Sequence, residues 1–118
     1  MSYGYGTRTT AYLESDIMSR PKEWLIPLLY EHLLSSLRRA AVQIEAGDVA
    51  GRTQSLEKAA AIVMELSASL DRENGGELAQ RLGALYAFFI TEMLQIGLTR
   101  DVARLQKLAV LVEELLEA

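Results

Sequence analysis

The stretch Ser67-Ala-Ser-Leu-Asp-Arg-Glu-Asn-Gly-Gly-Glu-Leu-Ala-Gln-Arg-Leu-Gly-Ala-Leu-Tyr-Ala-Phe-Phe89 decides the fold. It reads as a helix, a tight turn and a second helix. Gly75 and Gly76 reach positive φ at little steric cost, which suits a left-handed cap closing the first of the two helices. Glu77 puts negative charge into the first turn of the second, where the macrodipole favours it. Leu78, Leu82, Leu85, Tyr86 and Phe89 then recur at helical spacing on one face. Two antiparallel helices joined by a short loop follow from this stretch alone.

Working outward, two more helices come into view. A first one spans 21–46, with Pro21 suited to a first helical position. Its core face is Leu25, Leu29, Leu33, Ser36, Leu37, Ala40 and Ile44. Pro27 removes one hydrogen bond and crowds the carbonyl of Glu23, so a kink near Glu23, or a short first turn before the main helix, is expected. Gly47 closes this helix and Asp48 caps the next, which spans 48–72. Val49, Thr53, Leu56, Ala60, Val63, Leu66 or Ser67, and Leu70 are its inward positions. The third helix spans 77–96 and ends at Gly97. A fourth, 100–117, directs Val102, Leu105, Leu108 or Ala109, Val112, Leu115 and Leu116 inward. The fold class is all-α: an antiparallel up-down four-helix bundle over 20–118 with short loops.

Residues 1–19 differ in kind. Gly4 and Gly6 oppose helix, and apolar periodicity is absent. Tyr3, Tyr5 and Tyr12 are nevertheless three of the five tyrosines of the chain. A flexible, frayed tail and a segment packed back on the bundle are both compatible with this composition.

The chain has 118 residues, half of them hydrophobic and 24% charged, which fits one domain with its own core and argues against disorder. Leu, Ala, Glu and Arg are abundant, all good helix formers. Sixteen acidic against 12 basic residues give a formal charge of −4, which argues against a general nucleic-acid binder. Arg38-Arg39 reads as a solvated face. There is no cysteine, so neither a disulfide framework nor a thiolate metal site exists. No apolar run approaches the roughly 18 residues that span a bilayer, and no secretory signal is visible. Both features suit a cytoplasmic protein.

No residue pattern supports catalysis, and no catalytic, cofactor or metal residues are assigned. His32 is the one histidine. A helical histidine in a bundle invites comparison with phosphotransfer domains, but those carry His-x-x-Lys, and here the run is His32-Leu-Leu-Ser35-Ser36. Bundle di-metal sites use Glu-x-x-His on two helices, which one histidine cannot supply. Nucleophile elbows, phosphate loops and His-Glu-x-x-His are absent. Glu113, Glu114 and Glu117 read as a solvated face, and Met64 and Met93 as core filling.

What stands out is apolar excess. A surface helix needs one apolar stripe, and the third helix has a second set in Phe88, Ile90 and Leu94. The first adds Leu34 and Val42, the second Ile62 and Met64, the fourth Val110 and Leu111. These widen the core, meet loops and the N-terminal segment, or form an exposed groove for an amphipathic partner helix. A four-helix dimerisation or adaptor module would use the same surplus for self-association.

The run from Leu70 to Tyr86 resembles the FliS family, the flagellin export chaperones, whose pattern is Leu-Asp-x-Glu-x-Gly-Gly-Glu-Ile/Leu-Ala-x-x-Leu followed by Leu-Tyr. Leu25-Ile-Pro-Leu-Leu-Tyr30 is similar to the family's Leu-Ile-x-Met-Leu-Tyr/Phe, and Ile44-Glu-Ala-Gly-Asp48 to its Ile-Glu-x-x-Asp. Ala11-Tyr12 matches its N-terminal Ala-Tyr. The chain departs from the family at Thr9, usually apolar. It departs again at Ile96-Gly-Leu-Thr-Arg-Asp101, where the family has asparagines, and in lacking a tryptophan near its end.

The resemblance implies a cytosolic chaperone, not an enzyme, that binds the disordered C-terminal region of flagellin. Binding would prevent premature polymerisation and keep the client competent for flagellar type III secretion. It further implies docking at a component of the flagellar export gate, and an N-terminal segment in which Tyr12 covers the client groove. The expected partner-binding set is Tyr3, Tyr5 and Tyr12 with Leu34, Val42, Ile62, Met64, Phe88, Ile90 and Leu94. A homodimer in the absence of client, no nucleic acid and no membrane insertion complete the expectation.

Overall fold

The computed structural model describes residues 22–118, with side chains from residue 25 onward. Expectations about residues 1–19, including Tyr3, Tyr5 and Tyr12, lie outside the described residues. Among the described residues four helices follow one another: α1 (Lys22–Glu45), α2 (Val49–Ala68), α3 (Gly76–Thr99) and α4 (Val102–Glu117). α1 packs on α2 and α4, α2 on α3, and α3 on α4 through the thinnest of the four seams. The α2–α3 and α1–α4 seams therefore lie on opposite sides of the bundle.

The core is aliphatic with aromatic centres. Leu29, Leu33 and Leu37 of α1 meet Val63 and Leu66 of α2, Phe89 and Ile96 of α3, and Leu105 and Val112 of α4. Each recurs every three or four residues, as one buried helical face requires. Leu25 and Ile44, expected in the core, are half-buried against it. Two polar contacts cross the interior. Tyr30 Oη and Tyr86 Oη lie 2.5 Å apart, joining α1 to α3. Ser55 Oγ and the Gln43 side-chain amide, 2.6 Å apart, join α1 to α2.

Several local expectations are corrected. α1 continues without a break from Lys22 through Pro27, so a separate short first turn before the main helix is not found; the proline is exposed and the hydrogen bond it forgoes belongs to the opening turns. α2 stops at Ala68, short of Arg72. There the Ser69 hydroxyl donates to the Leu66 carbonyl, and Asp71 accepts from the Asn74 backbone and side chain, so the chain turns before the glycines. Gly75 and Gly76 consequently open α3 and do not close α2. Gly76 takes φ +54°, and a Cβ on Gly75 would sit 2.3 Å from the Asp71 carbonyl oxygen.

At its other end α3 passes through Gly97 and stops at Thr99. Arg100 supplies the left-handed residue at φ 58°, its N–H bonding to the Ile96 carbonyl at 2.7 Å. Asp101 then caps α4 by accepting from the Arg104 N–H at 3.1 Å. Asp48 caps α2 through the Gly51 N–H, as expected. Val49, Thr53 and Leu78, expected inward, are exposed; all three lie in the first two turns of their helices.

α3 also corrects the reading that no segment could span a bilayer. By length and composition it is apolar enough, with mean hydropathy 1.4 over 18 residues. Glycine, alanine and threonine between its large apolar residues disguise this as an ordinary amphipathic pattern. In the bundle Ala79, Tyr86, Phe89, Met93 and Ile96 are buried. Leu82, Leu85 and Ile90 are half-buried against the core, and Leu78, Phe88, Leu94 and Leu98 remain exposed.

Candidate functional site

Part of that exposed surface forms the wall of a groove. α2 and α3 lie side by side, and between them runs a cleft of about 530 Å3. Leu56, Ala60 and Met64 line it from α2, and Ile90, Met93, Leu94 and Leu98 from α3. Met64, Leu94 and Leu98 are 59%, 65% and 77% exposed, so the lip is as apolar as the floor. Ala60 and Gly97 keep the floor low: small residues there leave space that larger side chains would fill. Leu94 and Leu98 are one turn apart and stand on the same side of α3. Arg52, Thr53 and Glu57 are the polar members of the lining.

Of the residues expected to contact a partner, the structure brings Met64, Ile90 and Leu94 together here. Ile90 is half-buried at the floor. Val42 lies elsewhere, in a smaller cleft of about 420 Å3 between α1 and α4 with Ala41, Ala109 and Val110. The Arg38–Glu113 ion pair borders that cleft. Phe88 is partly exposed but lines neither cleft; its ring packs against Phe89. Leu34 and Ile62 are corrections. Both are buried, because α1 and α2 pack on each other so closely that their shared seam takes a wider stripe than one helix face. Leu98 was hidden by placing the helix end at Gly97; its spacing from Leu94 is the signal that finds it. Arg52 carries no apolar signal and is visible only in three dimensions.

Electrostatics fix the frame of the groove and leave its wall free. Glu92 of α3 accepts from Arg104 Nε at 2.7 Å and Nη2 at 2.6 Å, a two-pronged pair across the thin α3–α4 seam. The Arg104 hydrogen bonds hold the Glu92 carboxyl below the usual carboxylate range, against the opposing effect of burial. Burial, and then the bond with Tyr30, pushes the Tyr86 hydroxyl well above the ordinary tyrosine range. With Tyr86, Phe89, Met93 and Ile96 buried, Leu94 and Leu98 stand exposed on the groove side of α3. His32 is half-buried on α1. Among the described residues no cluster of His, Asp or Glu could hold a metal ion.

A helical bundle with an open apolar groove between two helices fits the class of proteins that bind another polypeptide. Comparison with known proteins names the family within that class. The family described as Flagellar protein FliS matches residues 5–118. The flagellar secretion chaperone FliS of Salmonella typhimurium is 36% identical over 107 residues, covering 90% of this chain and 79% of its own length. That of Escherichia coli is 34% identical over 116 residues, covering 96% and 85%. That of Bacillus subtilis is 30% identical over 96 residues, covering 81% and 71%. This chain belongs to the FliS family. It is an export chaperone of the flagellar system and not an enzyme.

Proposed function

We propose that the client is flagellin, and that an amphipathic helix from its C-terminal region folds into the α2–α3 groove. The observation that carries this reading is the continuous apolar lip of Met64, Leu94 and Leu98 on two adjacent helices. An unpartnered apolar surface of this kind in a soluble bundle marks a docking site. Each anchor covered by the client contributes about 1.5–3 kcal/mol before the cost of ordering the client is subtracted. Three or more anchors offset the ordering of a short helix. The mechanism is stoichiometric. A client segment held against the bundle is unavailable for polymerisation and stays unfolded elsewhere, as passage through a narrow export channel demands. The complex works in the cytoplasm and is delivered to a component of the flagellar export gate. Without client, the same apolar surface supports a homodimer.

The test is calorimetric titration of the full-length protein with a flagellin C-terminal segment. Saturable one-to-one binding with a negative heat-capacity change is expected. Leu94→Asp abolishes it, whereas Val42→Asp, on the opposite side of the bundle, leaves most of it. Loss in Val42→Asp with Leu94→Asp unaffected would move the groove to the α1–α4 seam. No binding by the wild-type chain would remove flagellin as client.

A further inference from the structure

Away from the groove, a second apolar surface crosses α4. Val42 of α1 and Val110 of α4 line one cleft, and Val110 and Leu111 line a shallow hollow beside it with Ala103 and Lys107. Val42, Val110 and Leu111 are all exposed, the first two by more than half. The α4 part is a stripe. Ala103, Lys107, Val110 and Glu114 follow one another at steps of four, three and four residues, the spacing that keeps side chains on one face of a helix. Each of these four is exposed.

The charges on the stripe are ordered about its apolar centre. Lys107 lies about 5 Å along the helix to one side of the midpoint between Val110 and Leu111, and Glu114 about 5 Å to the other. Neither makes an ion pair among the described residues, whereas Arg38 pairs with Glu113 and Arg104 with Glu92. A surface that changes sign across its own apolar centre is complementary to itself. A two-fold axis through the midpoint turns a second α4 antiparallel to the first. Each Lys107 then stands opposite Glu114 of the other copy, with Val110 and Leu111 between the two pairs. A partner of one predominant sign would meet a like charge at one end of the stripe.

We propose that this face binds a second copy of the chain, α4 against α4, through Val110 and Leu111 and two reciprocal Lys107–Glu114 pairs. A few apolar side chains and two surface ion pairs suit a transient contact and not an obligate one. The α2–α3 groove lies on the opposite side of the bundle, so it stays open in both copies. The dimer therefore presents two client grooves facing outward. This contact needs no client, so it stands apart from the flagellin reading, and it is distinct from association through the groove.

The experiment is sedimentation equilibrium of the full-length chain in a Leu94→Asp background, which removes association through the groove. That protein is expected to form a dimer in proportion to concentration, less so as salt is raised. Adding Lys107→Glu, or Glu114→Lys, sets like charges opposite each other twice and is expected to weaken the dimer roughly tenfold or more. An equimolar mixture of the two variants associates again, because each copy supplies the sign that the other lacks. Val110→Asp weakens the homodimer, and added to both charge variants it weakens their mixture. The substituted side chains are exposed, so urea midpoints stay with the parent's and a change in association reports the contact and not the fold. A Leu94→Asp protein that remains monomeric at the highest attainable concentration overturns the proposal. So does a mixture no more associated than its components, or a Val110→Asp protein that dimerises like its parent. In the wild-type background, a Val110→Asp protein that loses a flagellin C-terminal segment while its self-association is unchanged gives this face to the client and overturns the proposal as well.

Discussion

The Tyr30–Tyr86 contact offers the sharpest test of how the bundle holds its groove in place. The two hydroxyls lie 2.5 Å apart, both residues are buried, and they come from helices that face each other across the core. Tyr86→Phe keeps the ring and strands the Tyr30 hydroxyl; Tyr30→Phe does the converse. A stranded buried hydroxyl costs about 1–3 kcal/mol, so each single variant loses about that much. Replacing both removes donor and acceptor together, and the double variant should lie within about 1 kcal/mol of wild type. The assay is urea unfolding at neutral pH with all four proteins, comparing midpoints at constant slope.

The same pair has a pH signature. Tyr86 is raised by burial first, then by its bond with Tyr30. An unfolded tyrosine loses its proton near pH 10, whereas the folded one keeps it to higher pH. Above about pH 10 the unfolded chain binds fewer protons than the native one, so stability falls as pH rises. The contribution is complete below that pH. The slope approaches about 1.4 kcal/mol per pH unit for this single group and is diminished in Tyr86→Phe. Single-variant losses that simply add in the double, or an alkaline slope undiminished in Tyr86→Phe, would refute the coupling.

Further expectations concern the frame of α3. Arg104→Met removes the hydrogen bonds that depress Glu92. The Glu92 contribution is present above the carboxylate's unfolded pKa and lost as pH falls through the lower folded value, so this variant's acid-side unfolding midpoint should move to higher pH, read by circular dichroism. Arg100→Gly relieves a left-handed residue at φ 58° and should stabilise by about 0.5–1 kcal/mol in urea unfolding, the relief exceeding glycine's entropic cost. Gly75→Ala drives a methyl to 2.3 Å from the Asp71 carbonyl oxygen and should destabilise by about 1–3 kcal/mol in the same assay.

Much of this protein is legible in one dimension because helices are local. The periodicity of Leu29, Leu33 and Leu37, or of Leu105, Leu108 and Val112, depends on 3.6 residues per turn and on nothing distant. So does the capping by Asp48. Family membership was equally legible, since the run from Leu70 to Tyr86 preserves residue types at fixed spacing. Helix ends were less so: α3 runs on through Gly97 to Thr99, and Arg100 takes the left-handed position that Gly97 seemed to claim.

The binding surface was divided between the two levels. Sequence alone determined that there is more apolar surface than four helical stripes require, and named Met64, Ile90 and Leu94 within it. Only the tertiary structure decided which of that surplus is buried and which exposed. Leu34 and Ile62 vanish into the α1–α2 seam, Val42 goes to the opposite side, and Leu98 and Arg52 join the groove. The physical reason is that exposure is a property of pairs of helices. A side chain's angle on its own helix follows from its position in the chain, but the distance and rotation of the neighbouring helix follow from the packing of the whole core, down to a hydroxyl pair between Tyr30 and Tyr86.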